Sequence, residues 1–369
     1  MNNIRKIGAL SLLLSLTILH ALQAQDKEEN SDLGLSISAF VDAYYAYDFD
    51  RPTQGYRQSF FYNHNRHNEF NINLALIRMA VENDRYHAVV TLQAGTYAQD
   101  NYSPEQELLQ HLHEAYAGVA LNASGSLWLD AGVFASNLGF ESAVSMDNYT
   151  LTRSLVAEES PYFLSGAKLT YTPSDQWLFM ALVSNGWQHI QRVDGNSLPA
   201  FGSQIQYMPN DNILLNWSTF IGSDDPDATR RMRYFNDIFG TFKLSDKLDL
   251  IAGVDVGWQQ TAKESSTYDS WIAPVAILHY QIDDQWGTAV RGEYFNDAQQ
   301  IAVSTDSGLG FKTTSVSWNL DYQPDPKVMC RVEGRYFSSP NDIFNNGEVL
   351  SDSNFFITAS LAVKLNKDF

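Results

Sequence analysis

An all-β, transmembrane, antiparallel up-and-down barrel of about sixteen strands is the fold that these 369 residues predict. Three observations predict it. Side chains alternate with a period of two over stretches of about 9–13 residues, tight-turn residues recur mostly at intervals of about 36–42 residues, and the last alternating stretch stops on the final aromatic residue.

The alternation is cleanest at the end of the chain. Phe355, Ile357, Ala359, Leu361, Val363 and Leu365 interleave with Phe356, Thr358, Ser360, Ala362, Lys364 and Asn366, and the same phase puts Phe369 on the apolar face. Successive side chains of an extended strand point to opposite faces, so one set meets lipid and the other meets water. Leu35, Ile37, Ala39, Val41, Ala43, Tyr45 and Tyr47 repeat the pattern, as do Leu248, Leu250, Ala252, Val254, Val256 and Trp258, and then Val316, Trp318, Leu320 and Tyr322. Stretches of this length cross a bilayer when tilted. Beyond the N-terminus nothing approaches 18 consecutive apolar residues, which excludes membrane helices. Yet 44% of the residues are hydrophobic and 13% aromatic, at a mean hydropathy of −0.27. Apolar and polar residues are finely mixed, as a barrel wall requires.

The first 24 residues read as a cleavable export signal. Arg5 and Lys6 are the basic start, Ile7–Leu19 the apolar run, and Ala24 the cleavage site. The run is too short for an anchor, and no cysteine follows the site to take a lipid. Removing 24 of 369 residues leaves 345 (25–369) as one barrel domain, and the loss of two cations takes the formal charge from −19 to −21. That balance argues against nucleic acid, which needs a basic surface, and biases a pore towards cations. Cys330 is the single cysteine, so no intrachain disulfide forms.

Seven tight turns divide the barrel: Asn83-Asp84, Asn122–Gly125, Pro173–Asp175, Pro209–Asn212, Ser245–Lys247, Asp283-Asp284 and Pro324–Pro326. With both termini on the same side, seven short turns give about sixteen strands. The longer connections fall at 49–67, 99–108, 137–162, 188–198, 223–232, 261–269, 297–310 and 338–353. Such barrels keep short turns in the periplasm and long loops outside. No helical period shows between the strands. Trp128, Trp177 and Trp286 each follow a short turn and predict an interfacial aromatic girdle.

Residues 34–190 resemble the OmpL-like β-barrel porin family. The resemblance is carried by Phe40-Val41-Asp42-Ala43-Tyr44-Tyr45, by Glu114-Ala115-Tyr116-Ala117-Gly118, and by the run from Ala131 to Glu141. Asn148-Tyr149, Arg153-Ser154-Leu155, Pro161, Ser165-Gly166 and Asn185-Gly186-Trp187 complete it. It implies a porin-type barrel in a Gram-negative outer membrane, with membrane lipid outside and small hydrophilic solutes or ions within. General porins are often trimers, but nothing in the sequence marks a trimer face.

In many sixteen-stranded porins the third long loop folds inward. Here loop 137–162 carries Glu141, Asp147, Arg153, Glu158 and Glu159, which become the candidate constriction. A solvated external loop is the alternative. Asp42, Asp130, Lys168, Asp249, Asp255, Arg291, Glu293, Arg331, Glu333 and Arg335 share the face opposite the apolar one, and are candidate pore-lining residues. Arg or Lys on the lipid face costs about 2–4 kcal/mol at the midplane. A basic wall opposite an acidic loop gives a transverse field. Mutual pairing of these charges gives only a stiffer barrel.

Phe40, Tyr44, Tyr116 and Phe134 fall on the lumen face, where aromatics can stack on a sugar. A channel specific for sugars or peptides is therefore one rival reading, and a closed adhesin or receptor barrel a second. His64-Asn65-Arg66-His67 reads as a basic tip on the first loop, and His111 and His113 share a strand face without a visible third metal ligand. There is no G-x-S-x-G, P-loop, G-x-G-x-x-G or zinc spacing. The sequence thus offers no catalytic, metal or cofactor site, and a rim enzyme is the least supported reading.

Overall fold

A computed structural model describes residues 33–53, 55–347 and 349–369; the export segment expected at 1–24 lies outside them. Sixteen antiparallel strands close into a barrel. They are β1 (Gly34–Asp48), β2 (Phe70–Glu82), β3 (Tyr86–Ala94), β4 (Leu112–Ala120), β5 (Leu127–Ala135), β6 (Phe163–Ser174), β7 (Trp177–Ser184) and β8 (Ala200–Asn210). Then follow β9 (Ile213–Gly222), β10 (Arg233–Ser245), β11 (Leu248–Gln260), β12 (Tyr268–Gln281), β13 (Trp286–Asp297), β14 (Phe311–Asp325), β15 (Val328–Ser338) and, last, β18 (Ser353–Asp368). Two three-residue strands, β16 (Phe344–Asn346) and β17 (Val349–Ser351), pair with each other inside the final long loop.

The seam joins the ends of the chain. β1 pairs with β18 in register from Ser36 opposite Asp368 to Asp48 opposite Phe356. Closure leaves the described barrel no open strand edge, the condition for spanning hydrocarbon with strands. Among the described residues all seven expected tight turns connect neighbouring strands. Three have the same local cause: the side-chain oxygens of Asn83, Asn122 and Asp283 each accept two backbone N–H bonds from the residues just ahead.

The alternation follows the chemistry. On β14 the inward Ser315, Ser317 and Asn319 are buried, while the outward Val316 and Trp318 are each 54% exposed to what is lipid in the membrane. Trp177 and Trp286 point outward as expected. Trp128 does not: it shares its phase with Asp130, so its indole lies inside, stacked on His87 at 4.7 Å, with Nε1 donating to the Gly125 carbonyl. At Gly132, φ is +136°, and a Cβ would stand 2.1 Å from the Ala115 carbonyl oxygen. Only glycine fits where β5 runs this close to the β4 backbone.

Eight longer loops, numbered L1 to L8 in chain order, occupy the other end: 49–69, 95–111, 136–162, 185–199, 223–232, 261–267, 298–310 and 339–352. Two carry short helices that alternation did not reveal, α1 (Thr96–Asn101) and α2 (Leu155–Glu158). Each is a turn or so long, too short for a helical period to show. L1 corrects a second expectation. His64, Asn65 and Arg66 are no external tip; they are buried inside the barrel. Phe60 and Phe61 draw the loop in, since Phe60 meets Phe311 at 4.9 Å and Phe61 meets Phe356 at 5.5 Å. Arg57 follows, its guanidinium 3.4 Å from the Phe356 ring centroid. Among the described residues the largest buried apolar cluster is therefore the ring-rich filling of the long-loop end of the lumen.

The inside–outside assignment is testable at neighbouring residues. Val290 faces out beside the inward Arg291. Val290→Arg is expected to cost about 2–4 kcal/mol, read as a lower midpoint in urea unfolding from lipid vesicles.

Candidate functional site

Beneath the long loops, β13 and β15 place Arg291, Glu293, Arg331, Glu333 and Arg335 inward at every second position, and β14 between them adds Ser315, Asn319 and Asp321. The three arginines are among the most completely buried side chains of the chain. They are paired. Arg331 holds Asp321 through two nitrogens at 2.7 and 3.0 Å. Arg291 reaches Glu333 at 2.8 Å and Glu293 at 3.1 Å, and Arg335 also bonds Glu293. Three cations face three carboxylates. Charges removed from water persist only in such pairs with their remaining hydrogen-bond sites filled.

The remaining sites are filled by L3. Arg291 donates to the Thr152 carbonyl at 2.6 Å and the Thr150 hydroxyl at 2.9 Å. Arg335 donates to the Arg153 carbonyl at 2.7 Å, and Arg331 to the Ser145 and Asn148 carbonyls at 2.5 and 3.0 Å. The carboxylates take the amides. Thr152 N–H donates to Glu333 and Leu155 N–H to Glu293, both at 2.6 Å, and Leu151 N–H to Asn319 at 3.1 Å. L3 thus crosses the interior as an irregular strand of backbone gripped by an ionic wall.

Further anchors fix its other parts. Asp237 of β10 accepts from Gly139 N–H, and Ser218 donates to the Asn137 carbonyl. Asp42 accepts from Ser145 Oγ at 2.8 Å and lies 2.9 Å from His64 Nε2. Asp147 pairs with Lys364 at 2.7 Å. Glu141 accepts from both Ser154 N–H and Oγ. Glu158 accepts from Tyr62 N–H and Asn63 of L1. Arg153 lays its guanidinium 3.8 Å from the Tyr162 ring centroid.

The other residues singled out from the sequence lie apart from this grip. Asp130 contacts His87 at 2.5 Å and Lys168 at 4.0 Å, and Lys168 sits over the Phe134 ring at 4.5 Å. Asp255 stands opposite Asp237 on the neighbouring strand. Asp249 lies 3.4 Å from His279, whose ring stacks on Tyr149 of L3. Of the four aromatics, Phe40 is buried at the border of the cavity beside L3, Tyr44 is covered by L1, and Tyr116 and Phe134 flank Lys168. Asn319, Asp321, Asp237 and Lys364 join the grip without having been candidates, although each has the inward phase. His111 and His113 both turn to Gln93, and no group of metal-ligating residues occurs among the described residues.

Space remains on both sides of L3. Towards the long loops a cavity of about 320 Å³ is bordered by Asp100, Glu158, Glu159, Asp224, His189 and Arg233. Burial pushes the Glu158 carboxyl up to about 7. Burial, and then the charges of Glu158 and Asp297, hold Glu159 well above the usual carboxylate range. Burial opposes the charge on His189, but its bond to Glu105 and the charges of Asp224 and Glu105 outweigh that and raise it. Towards the short turns, a cavity of about 480 Å³ opens between L3 and the β1–β4 wall.

The model of the family described as "Putative beta-barrel porin-2, OmpL-like" matches residues 34–365. No match was found among curated proteins. Among solved structures, the outer membrane channel DcaP of Acinetobacter baumannii is similar at a TM-score of 0.57 and 11% identity, over 92% of this chain and 99% of that one. The anion-selective porin from Comamonas acidovorans gives 0.60 at 5% identity, over 90% and 100%. OmpF of Salmonella typhi, solved with daunomycin, gives 0.59 at 12%, over 92% and 99%. These likenesses concern the fold.

Removing one member of the buried network leaves its partners unpaired, at a cost of about 3–5 kcal/mol. Arg291→Met is therefore expected to lower the unfolding midpoint and to release residues 150–155. Faster amide hydrogen exchange at Thr152 and Leu155, with exchange at the β1–β18 seam unchanged, is the expected reading.

Proposed function

Because the chain belongs to the OmpL-like β-barrel porin-2 family, we propose that it is a passive diffusion channel for small hydrophilic solutes and ions, narrowed by L3. Family and fold are those of outer-membrane channels. One observation carries the proposal: L3 is held across the interior by buried wall charges, with cavities on both of its sides. A barrel of sixteen strands is wide enough for an aqueous path, and a loop fixed at many points keeps a narrowing of constant shape. No chemical step is needed, because the gradient drives the flux.

Glu141, Asp147, Arg153, Glu158 and Glu159 are proposed as the constriction. Wall charges still facing open space, such as Asp249, serve as its lining. Arg291, Glu293, Arg331, Glu333 and Arg335 serve instead as the clamp, since their polar atoms are engaged by L3 and by one another. The cation preference rests on the acidic balance of the chain and on Asp100, Glu158 and Asp224, set against Arg233 and His189, around the outer cavity. A homotrimer is proposed on one precedent: Vibrio cholerae OmpT, of similar fold, is solved in a trimer form. Cleavage after Ala24 belongs to the same proposal, and protein from outer membranes should begin at Gln25.

Planar-bilayer recording tests the channel, with discrete current steps expected. Deleting 142–157 should enlarge the steps; unchanged steps would count against L3 as the narrowing. Reversal potentials in a KCl gradient should show cation preference. That preference should grow between about pH 6 and pH 8, because Glu158 is neutral below about 7 and negative above it. Glu158→Gln should flatten this dependence.

A further inference from the structure

L4 turns towards the outer cavity, which its residues Trp187, Gln188 and His189 border. Two carboxylates of other loops hold that turn. Glu105 of L2 accepts from Ile190 N–H at 2.7 Å and from Gln191 N–H at 3.3 Å. Asp224 of L5 accepts from Trp187 N–H at 2.9 Å. Between them stands His189, its side chain 17% exposed, with Nδ1 3.8 Å from Glu105 Oε1 and Nε2 3.9 Å from Asp224 Oδ2. Gln188 ties the turn further, accepting from Tyr162 N–H of L3 at 2.7 Å and donating to the Asn101 carbonyl of L2 at 3.1 Å. It does so at a φ of +60°, which residues other than glycine seldom adopt, so the turn keeps this shape only while its neighbours hold it.

Both ring nitrogens of one histidine thus face carboxylates. A neutral imidazole has a single N–H, and its other nitrogen would turn a lone pair towards an anion; the imidazolium has a donor for each. The other charges around this cavity are committed elsewhere. Asp100 pairs with Arg66 at 2.8 Å, Arg233 spends Nε and Nη2 on Gln259, and Asp225, next to Asp224, takes Arg231 at 2.8 Å. Glu158 is bonded to L1, and burial holds the Glu159 carboxyl well above the usual range. His189 is the group that stands between carboxylates of two other loops.

We propose that His189 is a pH-operated latch on L4: charged, it ties L2, L4 and L5 together beside the outer cavity, and neutral, it releases residues 186–191 and widens the long-loop end of the passage. The inference deepens the channel reading and rests on it only for the effect on flux. Burial works against the charge on His189, but Glu105 and Asp224 outweigh it and lift the ring above its ordinary value of about 6.5. The tie is therefore complete below about pH 6.5 and is lost as pH rises through the lifted value. Acid strong enough to protonate Asp224, whose carboxyl burial holds above its usual range, loosens the other side.

Amide exchange in the purified barrel tests the latch. Protection factors, from which the intrinsic pH dependence of exchange is removed, are compared at pH 6 and pH 9 for Trp187, Ile190 and Gln191. They should fall at least tenfold, while those at the β1–β18 seam stay constant. His189→Gln should give the low protection at both pH values. His189→Lys, which stays charged, should keep the high protection at pH 9. Equal protection at both pH values in the native chain, or a native pH response in His189→Gln, overturns the proposal. Bilayer recording is made in the Glu158→Gln background, which removes the titration of that carboxyl. Current steps should grow from pH 6 to pH 9, and adding His189→Gln should give the larger steps already at pH 6. Steps that do not change with pH overturn the gate. A barrel that conducts nothing removes the channel reading instead, and the exchange result still decides the latch.

Discussion

A guanidinium that has lost its water must hold several oxygens at once, and that requirement organises the interior of this barrel. Lipid outside forbids Arg291, Arg331 and Arg335 from turning outward, so the strand period sends them in. Inside, carboxylates on the same strands neutralise them but leave donors and acceptors over. The peptide groups of L3 take up the surplus, carbonyls on the arginines and amides on the glutamates. The position of the loop therefore follows from the wall.

The same logic orders the rest of the lumen. Where the wall offers charge it receives backbone, and where it offers rings, as at Phe311, Phe337 and Phe356, it receives the Phe60-Phe61 pair of L1. The lumen is thus divided between an aromatic filling at the long-loop end and cavities on the two sides of L3. A wide, empty cylinder is the wrong picture.

Much of this was legible in the sequence because its causes are local. Strand phase is decided residue by residue, so the outward set of β18 and the inward arginines of β13 and β15 could be assigned from alternation alone. The seven tight turns announce themselves through Asn, Asp and Pro. What alternation could not supply was partnership. Arg291 meets Thr152, 139 positions away, and no spacing rule links them. Phe60 and Phe61 sit in a loop, where an aromatic pair looks exposed until Phe311 and Phe356 are placed around it. Distance from the turn places Trp128 at the girdle, but its shared phase with Asp130 turns it inward onto His87. The helices at 96–101 and 155–158 escaped because a single turn has no period.

L3 is held mainly through its peptide groups, and that has a consequence for how such a channel can diverge. Peptide carbonyls and amides are common to almost every amino acid, so replacements at Ala143 or Val144, half-buried beside the cavity, need not change the route of the loop. The arginines and glutamates that grip it have no such latitude. Descendants of this chain can therefore exchange what the loop displays to a passing molecule while inheriting the frame that displays it.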